Sequence, residues 1–458
     1  MQDWISTRFS AFGERAIYQT ADDACSYASF IDKIRKWDER LKEWNIQSGD
    51  RVGLIADYHI DVVALLISLM HRRCIVVPLS PEDKPLLKTR LAITDANKII
   101  RFSSSIGNKE SAECETLVFD GNVNAITQKL TDQCKAGLII FTSGSTGNSK
   151  AVLLDFEAMT KKYASSVGRS FKTLLFLKLD HIGGLNTLFS VIFNGGTIVT
   201  SESRNVVDIC RCIEQCRVEL LPTTPSFLNM LLLSNMHHDF DLSSLEIVTY
   251  GTEVMPSSTL ASINQIFPDV KIKQTYGLSE LGILSTQSES SESKWMKLGG
   301  EGFKLRVVDD VLWIKSDQAM LGYLNAPSPF DKEGWYNTGD RVEVRGDYFN
   351  VLGRESEIIN VAGEKVFPIE VENYLLTIKN VKDVLVREKK SPIVGALIWA
   401  EFILYEDEEL SDFRERITKD CRAQMASFKV PGLITISSSK SFVGSRFKKM
   451  RTVSAQTA

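Results

Sequence analysis

No stretch of this chain is long and apolar enough to cross a bilayer. Its longest apolar run, Val62 to Met70, is broken by Ser68 and falls far short of the roughly 20 residues a spanning helix needs. The first residues, Met1 to Arg8, carry Asp3 and no long apolar segment, so no secretory leader is expected. Positive charge is not in surplus. The 54 Lys and Arg stand against 58 Asp and Glu, a net charge of -4, which gives no reason to expect nucleic acid or an anionic membrane as a partner. The one short basic segment is Arg446-Phe447-Lys448-Lys449-Met450-Arg451. Eight cysteines in this length argue against a disulfide framework and for thiols in a reducing, cytoplasmic compartment. Cys210, Cys212 and Cys216 cluster in an expected helix. Positions i, i+2 and i+6 do not share one face, so buried thiols are expected there rather than zinc. There is no long low-complexity linker and no internal repeat.

What is present is the composition of a globular protein of more than one domain: 458 residues, 43% apolar and 24% charged. Strand and helix patterns alternate. Tyr27 to Trp44 has helical spacing, Arg51 to Ala56 reads as a buried strand, Asp61 to His71 as a helix and Cys74 to Leu79 as the next strand. The rhythm continues through strands at 174–177, 197–199, 218–221, 245–250 and 270–273, with helices at 185–193 and 206–216. It predicts parallel sheets flanked by helices. After Gly299 the texture changes to short alternating strands, 303–308, 311–315, 341–344 and 348–352, which predict a small antiparallel subdomain. From Pro368 a smaller α+β unit follows. The expected division is 1–352 and 353–458, with a hinge at 353–356.

The strongest local signal is Thr142-Ser143-Gly144-Ser145-Thr146-Gly147-Asn148-Ser149-Lys150, held between two apolar runs. Glycines let the backbone turn and approach a ligand; N–H groups, hydroxyls and an ammonium suit a polyphosphate. It is not a Walker loop, since Ser149 precedes Lys150 and Ala151 follows it. Five further segments carry chemistry. Gln274-Thr275-Tyr276-Gly277-Leu278-Ser279-Glu280 puts a hydroxyl and a carboxylate after a strand end; near phosphates that carboxylate makes sense through Mg²⁺, and by itself it also reads as a helix start. Gly334 to Asp340 ends in a carboxylate able to accept from a ribose diol, and also reads as a hairpin turn. Gly353-Arg354 places a cation at the expected hinge. Gly251-Thr252-Glu253 follows a strand at the edge where open α/β sheets bind ligands. Lys448 and Lys449 lie near the end of the chain.

Order and identity of these segments together resemble the adenylate-forming superfamily of acyl-CoA synthetases, peptide-synthetase adenylation domains and luciferases, over nearly the whole chain. Thr142 to Lys150 matches its phosphate loop, with Ser149 where Pro is usual. Tyr276 to Glu280, Gly334 to Asp340, Gly353-Arg354 with Gly363 to Glu372, and Phe428-Lys429-Val430-Pro431 match further motifs of the family. The resemblance implies an α/β fold: a large N-terminal domain of parallel sheets flanked by helices, a small antiparallel β subdomain, and a small mobile α+β C-terminal domain. It implies ATP-dependent activation of a small carboxylic acid as acyl-AMP, then transfer to the thiol of coenzyme A, releasing AMP and pyrophosphate. Two alternatives stay open: loading of the phosphopantetheine arm of an acyl carrier protein, and a catalytically silent adenylate-binding paralogue.

By the same resemblance, Thr142, Ser143, Gly144, Ser145, Thr146, Gly147 and Lys150 cradle the β- and γ-phosphates, and Glu280 with Thr142 holds Mg²⁺. Asp340 and Arg354 take the ribose. Gly251, Thr252, Glu253, Gln274, Thr275 and Tyr276 line the adenine slot, Gly277 and Ser279 are further nucleotide-binding candidates, and the Gly363 loop shapes the thiol tunnel. A lysine of a Gly-Lys-x-x-Arg-like motif bridges the carboxylate and the α-phosphate. Lys448-Lys449-Met450-Arg451 fits with Lys448, while Phe447 in place of Gly keeps Lys449 a rival. Ser356 stands where the family's hinge residue is Asp or Lys. His181, in Leu179-Asp180-His181-Ile182-Gly183-Gly184-Leu185, resembles the His of acyl- and aryl-CoA ligases that contacts the acyl pocket. Relatives that activate α-amino acids carry an Asp at about that place. The short span from Lys150 to His181 implies a compact pocket and a small aliphatic or aromatic acid.

Overall fold

The apolar run at Val62 folds as the helix Ile60–His71, in which every residue from Ile60 to Met70 is buried. An all-round apolar helix belongs in a core, and its one hydroxyl is satisfied there: Ser68 Oγ donates to Ala64 O at 2.9 Å and Ile34 O at 3.0 Å. It packs against Tyr27–Glu43, whose buried Tyr27, Phe30, Ile34, Trp37 and Leu41 form the apolar stripe. The computed structural model describes residues 3–102, 112–117, 121, 123–142, 149–165, 167–391, 395–438, 441–444 and 448–449.

Two seven-stranded sheets carry the larger part of the chain. The first runs in the order Lys271–Gln274, Ile247–Tyr250, Leu220–Thr223, Lys172–Leu174, Thr197–Val199, Ala16–Gln19, Ala24–Ser26. All its neighbours are parallel except the last pair. The second runs Gly322–Tyr323, Lys150–Asp155, Gly137–Thr142, Ile75–Leu79, Arg51–Ile55, Lys98–Phe102, Ala112–Thr116. Its centre is parallel, as the strand–helix rhythm predicts, but both its ends are antiparallel. A short connection returns Gly137–Thr142 directly to Lys150–Asp155, and such a connection allows only antiparallel pairing.

The expected antiparallel subdomain is a six-stranded sheet that includes Phe303–Val308, Val311–Ser316, Tyr336–Arg345 and Tyr348–Arg354. The last strand passes the expected boundary at 352 because Arg341 pairs with Gly353 and Asp340 with Arg354. Ser356 lies in the 3-10 turn Glu355–Glu357 that follows. Residues from Ile359 to Ile436 then share a core of their own, built on the strands Val381–Ser391, Gly395–Leu404 and Leu433–Ile436 and the helices Pro368–Leu375 and Leu410–Gln424. Cys210, Cys212 and Cys216 are buried thiols of the core beneath the first sheet. Among the described residues no helix is long and apolar enough to cross a membrane.

Candidate active site

The glycine-rich loop leaves one strand at Thr142 and rejoins its neighbour at Lys150, and these two residues are register partners at the open end of the pair. Ser143 to Asn148 lie outside the described residues. The exit of the loop is held by Asn325. Its Nδ2 donates to Ser149 O and its Oδ1 accepts the Ala151 N–H, both at 2.9 Å, so the backbone is clamped on either side of Lys150. Lys150 Nζ stands 5.0 Å over the Tyr323 ring, and the Tyr323 hydroxyl donates to Glu280 Oε1 at 2.6 Å. Burial first, then the charge of Glu280, raises the Tyr323 phenol above its ordinary value. Tyr323 and Asn325 carry no signal of their own in sequence, because Gly322–Tyr323 is a two-residue strand. Its pairing with Val152 and Leu153 is what brings them to the loop.

Ser279 and Glu280 do not start a helix. Gly277–Leu278 pairs with Gly282–Ile283, so the two residues form the turn of a tight antiparallel pair. This turn presents Glu280, which is buried and bonded at one oxygen by Tyr323. Among the described residues no cluster of three His, Cys, Asp or Glu side chains stands ready to bind a metal. A single carboxylate suits Mg²⁺, which keeps most of its shell for water and substrate phosphates. The buried Glu280 carboxylate therefore has the donor chemistry of the metal the resemblance implies.

Asp340 sits opposite Arg354 in the antiparallel sheet. Its Oδ2 accepts the Tyr276 hydroxyl at 2.6 Å, its Oδ1 accepts Arg354 Nε at 3.2 Å, and its own N–H donates to Thr338 Oγ1 at 3.0 Å. Burial pushes its carboxyl above the usual aspartate value, against the pull of Arg354 and of the Tyr276 hydrogen bond. The Tyr336 phenol is pushed up to about 12, by burial first and by the charge of Glu280 second.

The adenine-slot candidates lie at the ends of the adjacent parallel strands Ile247–Tyr250 and Lys271–Gln274, whose last residues are paired. Thr275 caps Tyr250 O with its N–H at 2.7 Å and its hydroxyl at 3.0 Å. Only glycine fits beside this junction, since a Cβ on Gly251 would stand 2.5 Å from Thr275 Oγ1 and 2.9 Å from Thr275 O. Gly277 and Ser279 belong to the tight pair that follows. Gln274 Oε1 is buried without a hydrogen-bond partner among the described residues.

Thr252, with φ +70°, lines a cleft together with Phe176, Leu177, Lys178, Asp180, His181 and Lys448. His181 caps the helix Ile182–Phe193, its Nδ1 accepting the Gly183 N–H at 3.1 Å. That leaves Nε2 as the protonated nitrogen of the neutral ring. Neighbouring Asp180 is buried, with Arg90 Nη1 3.9 Å away.

Lys449 has a different setting. Its Nζ donates to Asp383 Oδ1 at 2.8 Å and Val384 O at 2.7 Å, and its backbone N–H donates to Glu253 Oε1 at 2.8 Å. Glu253 Oε2 accepts from Ser226 Oγ at 2.7 Å, so both its oxygens are engaged. Phe447, Met450 and Arg451 lie outside the described residues. Gly363, at φ +96° in the turn between Ile359–Val361 and Glu364–Val366, joins none of these groups. No atom lies within 4 Å of where its Cβ would be.

The model of the AMP-binding enzyme family matches residues 7–324. The 2-succinylbenzoate–CoA ligase of Bacillus pumilus (strain SAFR-032) is 27% identical over 415 residues, which cover 83% of this chain and 83% of that protein. The 4-coumarate:CoA ligase 1 of Petunia hybrida is 27% identical over 463 residues, 88% of this chain and 83% of that one. In fold, the chain resembles the crystal structure of the anthranilate CoA ligase AuaEII in complex with anthranoyl-AMP. The TM-score is 0.81 at 18% identity, over 98% of this chain and 95% of that one.

Proposed function

Because the chain belongs to the AMP-binding enzyme family, we propose that it activates a small carboxylic acid as acyl-AMP and passes the acyl group to the thiol of coenzyme A. The observation that carries this reading is the cleft in which Lys448 meets His181 and Thr252, at the edge of the parallel sheet. Ligands of open α/β sheets bind at such edges.

In the first step a carboxylate oxygen of the acid attacks the α-phosphorus of ATP. An O–P bond forms, the bond to the bridging oxygen breaks, and pyrophosphate leaves. Charge spreads over the transferred group, and positioned cations and N–H donors offset it. Lys448 supplies the ammonium between acid and α-phosphate. Lys150, fixed by Asn325, holds the leaving phosphates. Asp340 accepts the ribose hydroxyls, and its bonds to Tyr276 and Arg354 keep the carboxylate aimed. Glu280 and Thr142 would hold Mg²⁺, which would neutralise phosphate charge. In the second step the thiol sulfur attacks the acyl carbon, the bond to AMP breaks, and the thiol proton passes to solvent.

The cleft walls Phe176, Leu177 and His181 suit a compact acid. The test is a screen of small aliphatic and aromatic acids with ATP, Mg²⁺ and coenzyme A, read as pyrophosphate release and acyl-CoA. One acid should give both products in equal amounts. Hydrolysis of ATP to ADP and phosphate, or no turnover with any acid, refutes the proposal.

A further inference from the structure

We propose that Lys449 is a positioning residue for adenylation: it fastens the terminal segment to its own unit by the side chain and to the nucleotide-binding part by the backbone, and so holds Lys448 in the cleft. The inference rests on Lys448 as the lysine of the first step.

The side chain of Lys449 is 10% exposed. Its ammonium contacts Asp383 Oδ1 and Val384 O and lies 3.9 Å from Glu372 Oε2. Glu372 is fully buried, and its Oε1 accepts the Val386 N–H at 2.9 Å. All of these partners belong to the unit that shares the core from Ile359 to Ile436. Two buried carboxylates around one ammonium hold the charge in place, and removing it takes a charged partner from a buried Asp383. An ammonium engaged by Asp383 and Val384 O is taken up within its own unit, which supports Lys448 rather than Lys449 as the bridging lysine.

The backbone of the same residue faces the other way. Its N–H meets Glu253, 196 residues earlier in the chain. Glu253 is itself fixed at the first turn of the helix Pro225–Ser234, accepting from Ser226 Oγ at 2.7 Å and the Ser226 N–H at 3.3 Å. A carboxylate is favoured at a helix N-terminus. Thr252, next to Glu253, lines the cleft with Lys448, next to Lys449. Two adjacent residues on each side thus meet: one pair makes the latch and the other the cleft. The Gly444 N–H donates to Lys448 O at 3.0 Å, and Val443 and Lys449 form an antiparallel bridge, so the backbone at Lys448 is tied on its own side as well. The bond from Lys449 to Asp383 travels with the C-terminal unit. With the mobile C-terminal unit that the resemblance implies, the bond to Glu253 would break when the unit moves, and so would serve the first step and not the second.

The test separates the half-reactions. Single-turnover pyrophosphate release measures the first; thioester formation from supplied acyl-AMP and coenzyme A measures the second. Lys449→Met should lower the first about 10- to 100-fold and leave the second within about twofold; Lys449→Arg should recover part of the loss. Glu253→Ala leaves the C-terminal core untouched and should lower kcat of the first step about tenfold, the effect of one charged hydrogen bond, with the KM for ATP unchanged. Normal pyrophosphate release by both Lys449→Met and Glu253→Ala overturns the inference. So does an equal loss in both half-reactions, the mark of a merely structural role, or a rise in KM with constant kcat for Glu253→Ala. Lys448→Ala is the reference: if it releases pyrophosphate at the wild-type rate, the underlying assignment fails, whatever Lys449 does.

Discussion

Tyr323 joins Lys150 to Glu280: its ring lies under the ammonium at 5.0 Å and its hydroxyl bonds the carboxylate at 2.6 Å. One side chain thus contacts both the lysine proposed to hold phosphates and the carboxylate proposed to hold Mg²⁺. Tyr323→Phe keeps the ring and removes the bond to a charged acceptor, worth about 1.5–3 kcal/mol. The expected result is a Mg²⁺ requirement raised about tenfold or more, with little change in the KM for the acid. Titration of activity with Mg²⁺ checks it, and an unchanged Mg²⁺ dependence counts against Glu280 as the metal carboxylate.

Asn325 holds the backbone on both sides of Lys150. Asn325→Ala frees Ser149 O and the Ala151 N–H and lets the loop exit move. We expect the KM for ATP to rise about tenfold, in proportion to one or two lost hydrogen bonds. AMP, which lacks the β- and γ-phosphates, should bind as before. Calorimetric titration with ATP and with AMP compares the two.

The raised value of Asp340 makes a pH prediction. The carboxylate form is the one that would accept from ribose hydroxyls, and it is lost as pH falls through the folded value, which lies above the ordinary 3.8. AMP affinity should therefore start to fall at a higher pH than an ordinary aspartate allows. Stability moves the other way: a carboxyl whose folded value is raised destabilises the fold as pH rises from 3.8 through that value. Asp340→Asn should abolish this pH dependence of binding and weaken AMP about tenfold. Because Arg354 is half exposed, losing its anion costs little, and Tm should not fall. A large drop in Tm with normal AMP affinity contradicts the ribose role.

Gly363 stands in a turn with Ala362 at φ 51° and Gly363 at φ 96°, and its Cβ position is open. Gly363→Leu meets no clash here and costs about 1 kcal/mol of backbone strain. If the Gly363 turn enters the site only for thioester formation, pyrophosphate release should stay near normal while acyl-CoA formation falls at least tenfold. Equal loss of both steps contradicts that division.

Much of the framework could be read from sequence because it rests on short-range patterns. The period of 3.6 at Phe30, Ile34, Trp37 and Leu41 and the continuous apolar run at Val52 to Ile55 belong to single elements and survive folding unchanged. What escaped was decided by contacts across the chain. Asn325 and Tyr323 matter through a strand pairing with residues about 170 positions earlier, and no local period marks a two-residue strand. Glu280 reads locally as a helix start, yet the pairing of Gly277–Leu278 with Gly282–Ile283 makes it a turn. Lys448 fits the Lys-x-x-Arg spacing and Phe447 in place of Gly leaves Lys449 a rival; their surroundings differ, a cleft beside His181 for one, Asp383 and Val384 O for the other. Glu253, expected beside adenine, has its oxygens engaged by Ser226 and Lys449.

In the proposed first step acid and ATP combine into an acyl-adenylate at Lys448. That step is tested most directly by mixing enzyme, a turned-over acid, ATP and Mg²⁺ without coenzyme A, and identifying the bound product by mass spectrometry. The native enzyme should give one equivalent of acyl-AMP and one of pyrophosphate per active site, and Lys448→Ala neither. Formation of an acyl phosphate with ADP, or acyl-AMP at the native rate from Lys448→Ala, would contradict that step.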